Sequence, residues 1–229
     1  MSPVFDKEGI RIFHADCLPE MEKMENNQYE LAIVDPPYGV GNFTQSDRKY
    51  QNKCYGDYTW NENIPSEKYF IELKRVSKRR IIWGANYYNC FESGGSALVW
   101  DKMNPHPAMS RCEIASISWG KKVDYIQIMH YGAHQDSDNF HPCGKPKRLY
   151  RYLLQKYARQ GWSILDTHAG SCSLAIACLE LGFTLTAFEI DKDYLDAAVD
   201  RIEKYLTQPK LFKPINHIEP KQEEMFKNE

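Results

Sequence analysis

The stretch Ile33-Val34-Asp35-Pro36-Pro37-Tyr38-Gly39 organises this chain of 229 residues. The apolar run that leads into it, 31–34, predicts a buried strand. Two consecutive prolines cannot continue a central strand or lie inside an ordinary helix, so the chain must leave the sheet through a stiff turn. In open α/β sheets, ligands bind at the carboxyl ends of the strands. The turn presents a carboxylate, a carbonyl and an aromatic ring there, although a plain aspartate-capped loop has the same pattern.

The composition is typical of a single soluble α/β domain. Apolar residues make up 42% of the chain and charged residues 26%, and this length suits one sizeable core better than two. No run of about 18 apolar residues occurs, and Met1–Glu8 lack the basic and apolar regions of a secretory signal. We therefore expect one domain over 1–209, a loosely ordered tail over 210–229, and no membrane partner.

The seven cysteines favour free thiols. They are odd in number and contain no CxxC pair, which favours a reducing compartment over a disulfide framework or a zinc cluster. His141 and Cys143 have the spacing of metal ligands, but no second pair accompanies them. We therefore expect no metal.

The net charge of −2 conceals a strong segregation of charge. Segment 68–80 carries six basic residues against one acid, and segment 142–160 carries six against none. Segment 16–35 carries six acids against one lysine. This pattern suits a polyanion-binding face beside an acidic ligand pocket, but two solvated helix faces explain it equally well.

Predicted strands and helices alternate along the chain. Apolar runs predict strands, and helical spacing predicts helices. The strands cover 11–14, 31–34, 80–83, 97–100, 114–119, 125–130, 163–165 and 184–188; the helices cover 19–24, 66–78, 87–91, a segment from about 146 that stops at Gly161, one from the Gly170 turn to 181, and 193–206. We expect a mostly parallel, twisted α/β sheet with helices on both faces. Segments 114–119 and 125–130 suggest an antiparallel hairpin at one edge.

The segment 163–189 predicts half of a nucleotide-binding site. A strand ending at Asp166, a turn around Gly170, a helix, and a strand ending at Glu189 form the mononucleotide-binding half of a doubly wound fold. Glu189 is placed to accept hydrogen bonds from ribose hydroxyls. Because the turn has one glycine instead of GxGxxG, a nucleoside without phosphate suits it better than a dinucleotide. A strand, turn and helix that only pack together would look similar.

These motifs together resemble the S-adenosylmethionine-dependent amino-methyltransferases of DNA, which methylate adenine N6 or cytosine N4. Asp35-Pro36-Pro37-Tyr38 matches their catalytic motif, [D/N/S]PP[Y/F/W]. Their cofactor motif, Asp-x-x-x-Gly-Ser-Gly, is matched by Asp166, Gly170 and Ser171, with Cys172 in place of the last glycine. The acid after the next strand is Glu189. The catalytic motif precedes the cofactor motif, which is the order of the family's β class.

Two further blocks support the resemblance. Segment 141–146 is similar to a His-Pro-x-x-Lys-Pro block that precedes the family's cofactor motif, and Asp16 matches an early Gly-Asp, with Ala15 replacing the glycine. The resemblance implies a Rossmann-like methyltransferase fold with a catalytic half at about 10–130 and a cofactor half at about 141–206. It leaves no room for a separate target-recognition domain.

The resemblance also implies the cofactor and the partners. The expected cofactor is S-adenosyl-L-methionine, and the expected partner is double-stranded DNA whose target base is flipped out of the helix. A homodimer, a restriction-modification context and a location in the cytoplasm of a bacterium or a phage-infected cell follow as further expectations.

Site roles come from the same resemblance. Asp35, Pro36, Pro37 and Tyr38 are the expected catalytic residues: the Asp35 carboxylate and the Pro36 carbonyl accept hydrogen bonds from the amine, and the Tyr38 ring stacks on the base. The expected cofactor-binding residues are Asp16, Cys17, Asp35, Lys145, Asp166, His168, Gly170, Ser171, Cys172, Glu189 and Ile190.

Within this set, Glu189 would hold the ribose and Asp16 the adenine amine or a neighbouring group. Lys145 would bind the carboxylate of the methionine end, although a lysine that faces a phosphate or solvent fits the sequence nearly as well. His168 and Cys172 depart from the family pattern and are read as altered pocket walls.

The target is the most open point. An aspartate at the first motif position favours adenine N6 in this family, with cytosine N4 or adenine in RNA as alternatives. An inactive, cofactor-binding DNA-binding subunit is a further alternative, which the intact Asp35 and Glu189 disfavour. Without a recognition domain, specificity would rest on the loops 39–63 and 101–111 or on a second subunit. Tyrosines and Trp60 in the first loop suit stacking on bases or a cap over the pocket.

Overall fold

The structure is a computed structural model that describes residues 1–40, 62–92, 94–103, 110–129 and 144–208. Its strands are β1 (Phe5–Lys7), β2 (Ile10–His14), β3 (Tyr29–Val34), β4 (Ser77–Trp83), β5 (Ala97–Asp101), β6 (Cys112–Ile117), β7 (Val123–Gln127), β8 (Ser163–Asp166) and β9 (Thr184–Glu189). Its helices are α1 (Cys17–Met21), α2 (Glu67–Val76), α3 (Ala85–Tyr88), α4 (Lys147–Tyr157), α5 (Ser173–Leu181) and α6 (Lys192–Thr207). The predicted α/β fold is confirmed.

The nine strands form one sheet in the order β1-β2-β9-β8-β3-β4-β6-β5-β7. Strands β2, β9, β8, β3 and β4 are mutually parallel. Strand β6 runs antiparallel between β4 and β5, and β7 is parallel to β5. At the opposite edge β1 and β2 form an antiparallel hairpin, whose turn at Glu8 and Gly9 has positive φ angles.

The predicted antiparallel pairing of 114–119 with 125–130 is wrong, because β5 lies between β6 and β7. Alternating apolar residues predict that a segment is a strand, but they do not select its neighbour.

The centre of the sheet is a topological switch point. Strands β3 and β8 are neighbours, with Leu31 opposite Ile164, yet the chain proceeds from β3 to β4 on one side and from β8 to β9 on the other. Such a reversal opens a crevice at the carboxyl ends of the two strands. The Asp35 turn and the Asp166 turn therefore meet there, although over 100 residues separate them in sequence.

Two hydrophobic cores cover the two faces of the sheet. Side chains alternate along β3, so Leu31 and Ile33 face the core under α4, α5 and α6, whereas Ala32 and Val34 face the core under α1 and α2. Burial on both faces explains why this strand reads as a continuous apolar run. No helix in the described ranges is long and apolar enough to cross a membrane.

The junction between α2 and β4 differs from the sequence expectation. The helix ends at Val76 instead of 78, and the strand begins at once with Ser77 instead of 80. The Ser77 hydroxyl donates to the Leu73 carbonyl at 2.5 Å, which satisfies an acceptor that the helix end leaves open. The predicted tail over 210–229 lies outside the described residues, as does nearly all of the loop over 39–63.

The segregated charges largely neutralise one another within the fold. Lys68 and Lys78, from the first basic segment, form ion pairs with Glu22 and Glu30 of the acidic segment. Other cations of the basic segments pair nearby: Arg75 with Glu72, Arg80 with Glu92, Lys147 with Glu180, and Lys156 with Asp124. The charge pattern is thus explained by ion pairing across the fold and does not by itself indicate a phosphate-binding face.

Cys172 provides a test of the turn that leads into α5. This residue has a φ of 53° and is 1% exposed. A β-branched side chain is strongly disfavoured at positive φ, so Cys172→Val should lower the free energy of unfolding by about 1–3 kcal/mol. Cys172→Gly exchanges a small packing loss for relief of backbone strain and should stay within about 1 kcal/mol of wild type. Urea unfolding measures both, and a Val variant as stable as the Gly variant would contradict the expectation.

Candidate active site

The Asp35 carboxylate is held from two sides. It follows the carboxyl end of β3, and its side chain is only 18% exposed. Oδ1 accepts a hydrogen bond from the Tyr38 hydroxyl at 2.7 Å, and Oδ2 forms an ion pair with Lys145. The first and last residues of the Asp-Pro-Pro-Tyr motif thus bind each other, and the carboxylate is fixed before any ligand arrives.

Lys145 belongs to a buried charge cluster of four residues: Asp35, Lys145, Glu113 and Lys102. The Lys145 Nζ lies 3.1 Å from Glu113 Oε2, and the other Glu113 oxygen pairs with Lys102. Both lysines are nearly inaccessible, at 4% and 6% exposure. Two cations and two anions therefore balance inside the protein, which buried charges require.

Sequence reasoning missed Glu113 and Lys102. The signal for Glu113 was a single acid at the start of an apolar strand, since a buried carboxylate needs a partner. No comparable signal identified Lys102.

The cluster perturbs the acidity of its members. Burial raises the pKa of Asp35 above its ordinary value, and the nearby Lys145 cation only partly offsets this. For Glu113, burial acts in the same direction, but Lys145 and Lys102 outweigh it and lower the pKa to about 2. Burial opposes the charge on Lys145, yet the two carboxylates raise its pKa overall. Glu113 and Lys145 are therefore ionised at neutral pH.

The carbonyls of the two prolines also have a partner that sequence reasoning missed. The Tyr88 hydroxyl, from α3, lies 2.5 Å from Pro36 O and 2.9 Å from Pro37 O, so its single proton is shared between the two carbonyls. A carbonyl oxygen has two lone pairs, so Pro36 retains the capacity to accept one more hydrogen bond. Tyr88 fixes the direction of both carbonyls.

The Tyr38 ring is tightly enclosed. It stacks on Tyr87 with ring centroids 4.8 Å apart and an angle of 17° between the planes. A Cβ atom on Gly84 would lie 2.4 Å from Tyr38 Cε1, so the ring needs a glycine at that position. Tyr87 is 40% exposed and therefore covers Tyr38 from the solvent side.

Across the crevice, the Glu189 carboxylate stabilises the backbone of the 166–172 turn. Glu189 Oε2 accepts a hydrogen bond from the Gly170 N–H at 2.7 Å, and Oε1 accepts one from the Asp191 N–H at 2.9 Å. Gly170 has a positive φ of 49°. The predicted acid and the predicted turn are thus in direct contact, and each Glu189 oxygen keeps a lone pair for a further donor.

Asp16, Cys17 and Ile190 lie beside Glu189. The Ala15 N–H donates to the Glu189 carbonyl at 3.1 Å, which brings the exit of β2 next to the acid. Asp16 is exposed and caps α1 by accepting from the Leu18 N–H at 3.0 Å. Cys17 is buried, whereas Ile190 is 60% exposed. All three predicted residues therefore border the same end of the crevice.

His168 is neutral at physiological pH, because burial lowers its pKa to about 4. Its Nδ1 lies 2.9 Å from Thr167 Oγ1, which in turn lies 2.7 Å from the Tyr69 hydroxyl. A neutral, hydrogen-bonded ring fits a pocket wall and does not supply a cation for a carboxylate.

Lys145 differs from its expected placement at the methionine end, since its ammonium lies against Asp35 and Glu113. The expectation of a phosphate-facing or solvated lysine also disagrees with its 4% exposure.

Ser171 is held from behind by Arg201 of α6, a further residue that sequence reasoning missed. The Arg201 Nη1 donates to the Ser171 carbonyl at 2.6 Å and to Ser173 Oγ at 3.0 Å, and the side chain is buried. In the part of the chain that the structure describes, no three metal-ligating side chains cluster. His141 and Cys143 lie outside that part.

Comparison with protein families gives one match, a model described as DNA methylase, which covers residues 72–200. Two curated relatives extend over nearly the whole chain. The type II methyltransferase M2.LlaDCHI of Lactococcus lactis subsp. cremoris is 23% identical and aligns with 90% of this chain and 93% of its own. The type II methyltransferase M2.DpnII of Streptococcus pneumoniae is also 23% identical, over 88% and 92% of the two chains.

Solved structures share the fold. The cytosine-N4-specific PvuII DNA methyltransferase superposes with a TM-score of 0.64 at 11% identity and covers 93% of this chain and 91% of its own. The complex of M1.HpyAVI with SAM gives a TM-score of 0.55 at 17% identity, over 84% and 99% of the chains. At these identities, the structural likeness establishes the architecture only.

Gly84 provides a test of the Tyr38 placement, with Gly95 as its matched control. Both have positive φ (74° and 67°), so alanine strains either backbone by about 1 kcal/mol. Only at Gly84 does the new Cβ meet Tyr38, because nothing lies within 4 Å of a Cβ at Gly95. Gly95→Ala should lose stability alone, whereas Gly84→Ala should also lose methyl transfer by a factor on the order of 100. Equal activity of the two variants in a labelled-methyl assay would contradict this.

Asp166 provides a test by pH. Burial, and then the charges of Asp35 and Glu189, raise its pKa to about 7 although the His168 N–H opposes this. Between about pH 4 and 7 the folded state therefore holds a proton that the unfolded state lacks, and stability falls as the pH rises through this window. Asp166→Asn removes that loss. The free energy of unfolding of the variant, relative to wild type, should therefore be about 2 kcal/mol higher at pH 8 than at pH 5.

Chemical denaturation at the two pH values measures this difference. Asp6→Asn, at an exposed position of β1, is measured alongside as the control for the same substitution at the surface. An Asp166→Asn advantage that is equal at both pH values would refute the expectation.

Proposed function

The chain belongs to the N6/N4 family of DNA methylases, whose model matches 129 of its 229 residues, and we propose that it methylates the N6 amine of a flipped-out adenine in double-stranded DNA. The observation that carries the proposal is that the Asp35 turn and the Asp166 turn follow the carboxyl ends of two neighbouring parallel strands, β3 and β8. The Asp35 carboxylate and the Pro36 carbonyl stand at one wall, and the Gly170 turn with Glu189 stands at the other. In this proposal, the first turn supplies an acceptor pair for an amine, and the second turn binds the nucleoside of the cofactor.

The proposed cofactor is S-adenosyl-L-methionine, which supplies an electrophilic methyl group when bound. The residues present fit it. Glu189 keeps one lone pair on each oxygen for ribose hydroxyls, and Asp16 lies beside it with an exposed carboxylate. Asp166, His168, Gly170, Ser171 and Cys172 form the proposed wall for the methionine end, with Cys17 and Ile190 near the adenine end.

The proposed chemistry rests on orientation of the amine. The lone pair of an exocyclic amine is delocalised into the ring, which makes the nitrogen a poor nucleophile. Hydrogen bonds from both amine protons, one to Asp35 and one to Pro36, favour a pyramidal nitrogen with a localised lone pair. The new N–C bond would form as the bond between the methyl group and the sulfur breaks, with its electron pair left on the sulfur. The nitrogen would gain positive charge, which the Asp35 carboxylate would stabilise until one amine proton is released to solvent. Direct transfer requires little beyond this geometry.

Tyr38 is the proposed stacking partner of the flipped base. In the structure, Tyr87 stacks on this ring. A base that uses the same face of Tyr38 must therefore displace Tyr87, which is half exposed at 40% and sits on a short helix.

Adenine is favoured by the aspartate at the first motif position, a preference that comes from the family resemblance. Cytosine N4 and adenine in RNA are the alternative targets, and an inactive DNA-binding subunit is the alternative of another class. Both curated relatives are named type II methyltransferases, which supports a restriction-modification context. The arrangement as one domain without a recognition module, and the homodimer, remain part of the proposal.

Product analysis tests the target. The purified chain would be incubated with unmethylated DNA, or with RNA, and labelled S-adenosylmethionine, and the nucleosides would be separated by mass spectrometry. N6-methyldeoxyadenosine is expected. N4-methyldeoxycytidine would refute the adenine assignment, and product on RNA alone would refute DNA as the substrate. A chain that binds cofactor and DNA without any product would establish the inactive-subunit alternative.

Asp35 provides the matching mutational test. Asp35→Ala should abolish turnover while cofactor affinity stays within a few fold of wild type, because Glu189 and the Gly170 turn remain intact. Calorimetric titration with S-adenosylmethionine and the labelled-methyl assay measure the two properties. Asp193→Asn, at an exposed position in the first turn of α6, is a control that should keep both. Retained turnover in Asp35→Ala would remove Asp35 from the reaction.

A further inference from the structure

We propose that Glu113 is a positioning residue for methyl transfer, which acts on Asp35 through the lysine that the two carboxylates share. This inference rests on the proposed function and adds a residue that the Asp-Pro-Pro-Tyr motif does not contain. Glu113 does not need to contact the substrate. It fixes Lys145 and Tyr38, and those two groups fix the orientation and the basicity of the Asp35 carboxylate.

The topology of the sheet brings Glu113 to the site. Parallel strands β3 and β5 end at the crevice edge, which places Asp35 and Lys102 there. Strand β6 runs in the opposite direction, so its first residues lie at the same edge, and Glu113 pairs in register with Trp100 of β5. Strand β6, which runs antiparallel to both of its neighbours, thus brings a carboxylate near its start to the edge where β3, β4 and β5 end.

Each N–H donor of the Lys145 ammonium has an acceptor. Its ammonium has three N–H donors, and three acceptors surround it: Asp35 Oδ2, Glu113 Oε2 at 3.1 Å and the Tyr38 hydroxyl at 3.0 Å. The ring centroids of Tyr38 and Trp83 lie 5.5 and 5.2 Å from the same nitrogen. Lys145 therefore has a defined position, and Glu113 supplies one of the three contacts that define it.

This arrangement leaves one lone pair on each Asp35 oxygen that can accept a further hydrogen bond. Lys145 occupies Oδ2 and the Tyr38 hydroxyl occupies Oδ1. The Tyr38 oxygen also lies 3.1 Å from Glu113 Oε2, so Glu113 competes with Asp35 for the same hydroxyl proton. The carboxylate plane is thus set by two contacts, and both of them also touch Glu113.

Glu113 also acts on Asp35 through its charge. With Glu113 present, the cluster holds two cations and two anions, and Lys145 divides its field between two carboxylates. Without Glu113, both lysines would act on Asp35 alone, and the carboxylate would become a weaker acceptor for an amine proton. Glu113 is itself held in place by Lys102, which keeps it charged and oriented.

Several other titratable groups face Asp35, and they must stay constant in any test. Tyr88 of α3, Tyr150 of α4 and Asp166 of β8 all interact electrostatically with it. Tyr38, Lys145 and Glu113 complete the set. Only Glu113 is altered in the experiment, so a change in the titration of Asp35 reports on Glu113.

The experiment compares wild type with Glu113→Gln by two readouts. Carboxyl ¹³C NMR follows the titration of Asp35, whose signal is assigned by its loss in Asp35→Asn. Removal of the neighbouring anion should lower the Asp35 midpoint by about one pH unit. The acidic limb of the kcat profile should shift the same way, and kcat should fall by about tenfold or more while KM for the cofactor stays within about twofold.

Two further variants separate positioning from stability. Glu113→Gln combined with Lys102→Met restores the charge balance, so the double variant should regain thermal stability while kcat stays low, because a neutral amide oxygen holds the Lys145 ammonium more weakly than the carboxylate does. Glu92→Gln breaks the partly buried pair of Glu92 with Arg80, remote from Asp35 in the sheet. It should lose stability and leave both the Asp35 midpoint and the kcat profile unchanged.

Each result of the Glu113 experiment leads to a different conclusion. An unmoved Asp35 midpoint in Glu113→Gln, with kcat within twofold of wild type, overturns the proposal. A lowered midpoint in a chain whose wild type makes no methylated product refutes the proposed function but retains the coupling between Glu113 and Asp35. A loss of kcat that the double variant reverses completely assigns Glu113 a structural role and also overturns the proposal.

Discussion

The buried ammonium of Lys145 is the interaction on which the rest of the site depends. A cation at 4% exposure is costly unless anions compensate it, and the compensating carboxylates come from two other parts of the chain, the β3 turn and β6. Lys145 itself precedes α4, which leads into the cofactor half. One ion therefore requires three distant segments to assemble together, so the Asp-Pro-Pro-Tyr turn is not formed independently of the segment that begins at α4.

On the other wall of the crevice, side chains likewise hold the backbone in place. Glu189 binds the backbone of the Gly170 turn, and Arg201 binds the carbonyl of Ser171 from behind. On the catalytic side, Tyr88 orients the proline carbonyls, and Gly84 and Tyr87 enclose the ring of Tyr38. The polar groups of both walls are thus oriented in advance, which is what direct transfer between two bound groups requires.

The sequence predicted the parts of this site that are local and could not predict the parts that depend on strand neighbours. Asp35, Gly170 and Glu189 follow or border apolar strands, and parallel strand ends meet at one edge, so their proximity follows from pattern alone. Glu113 reaches the site because β6 inserts in reverse between β4 and β5, and no periodicity encodes that choice. The ion pairs of Lys145 were not predicted for the same reason, since its partner Glu113 was unknown.

The position of the carboxylates also bears on how the crevice would hold a cationic cofactor. Asp35 and Glu189 raise the pKa of Asp166 after burial has done so, which means that these three carboxyl groups repel one another when ionised. On the proposed function, a sulfonium cation held near these carboxyl groups would relieve that repulsion, whereas a neutral thioether would not. On the proposed function, the acidic crevice therefore favours the charged cofactor over its product, while the balanced lysine–carboxylate cluster keeps Asp35 itself from contributing a full unpaired charge. On the proposed function, the wall with Asp166 and Glu189 thus attracts a cation, and the wall with Asp35 orients an amine.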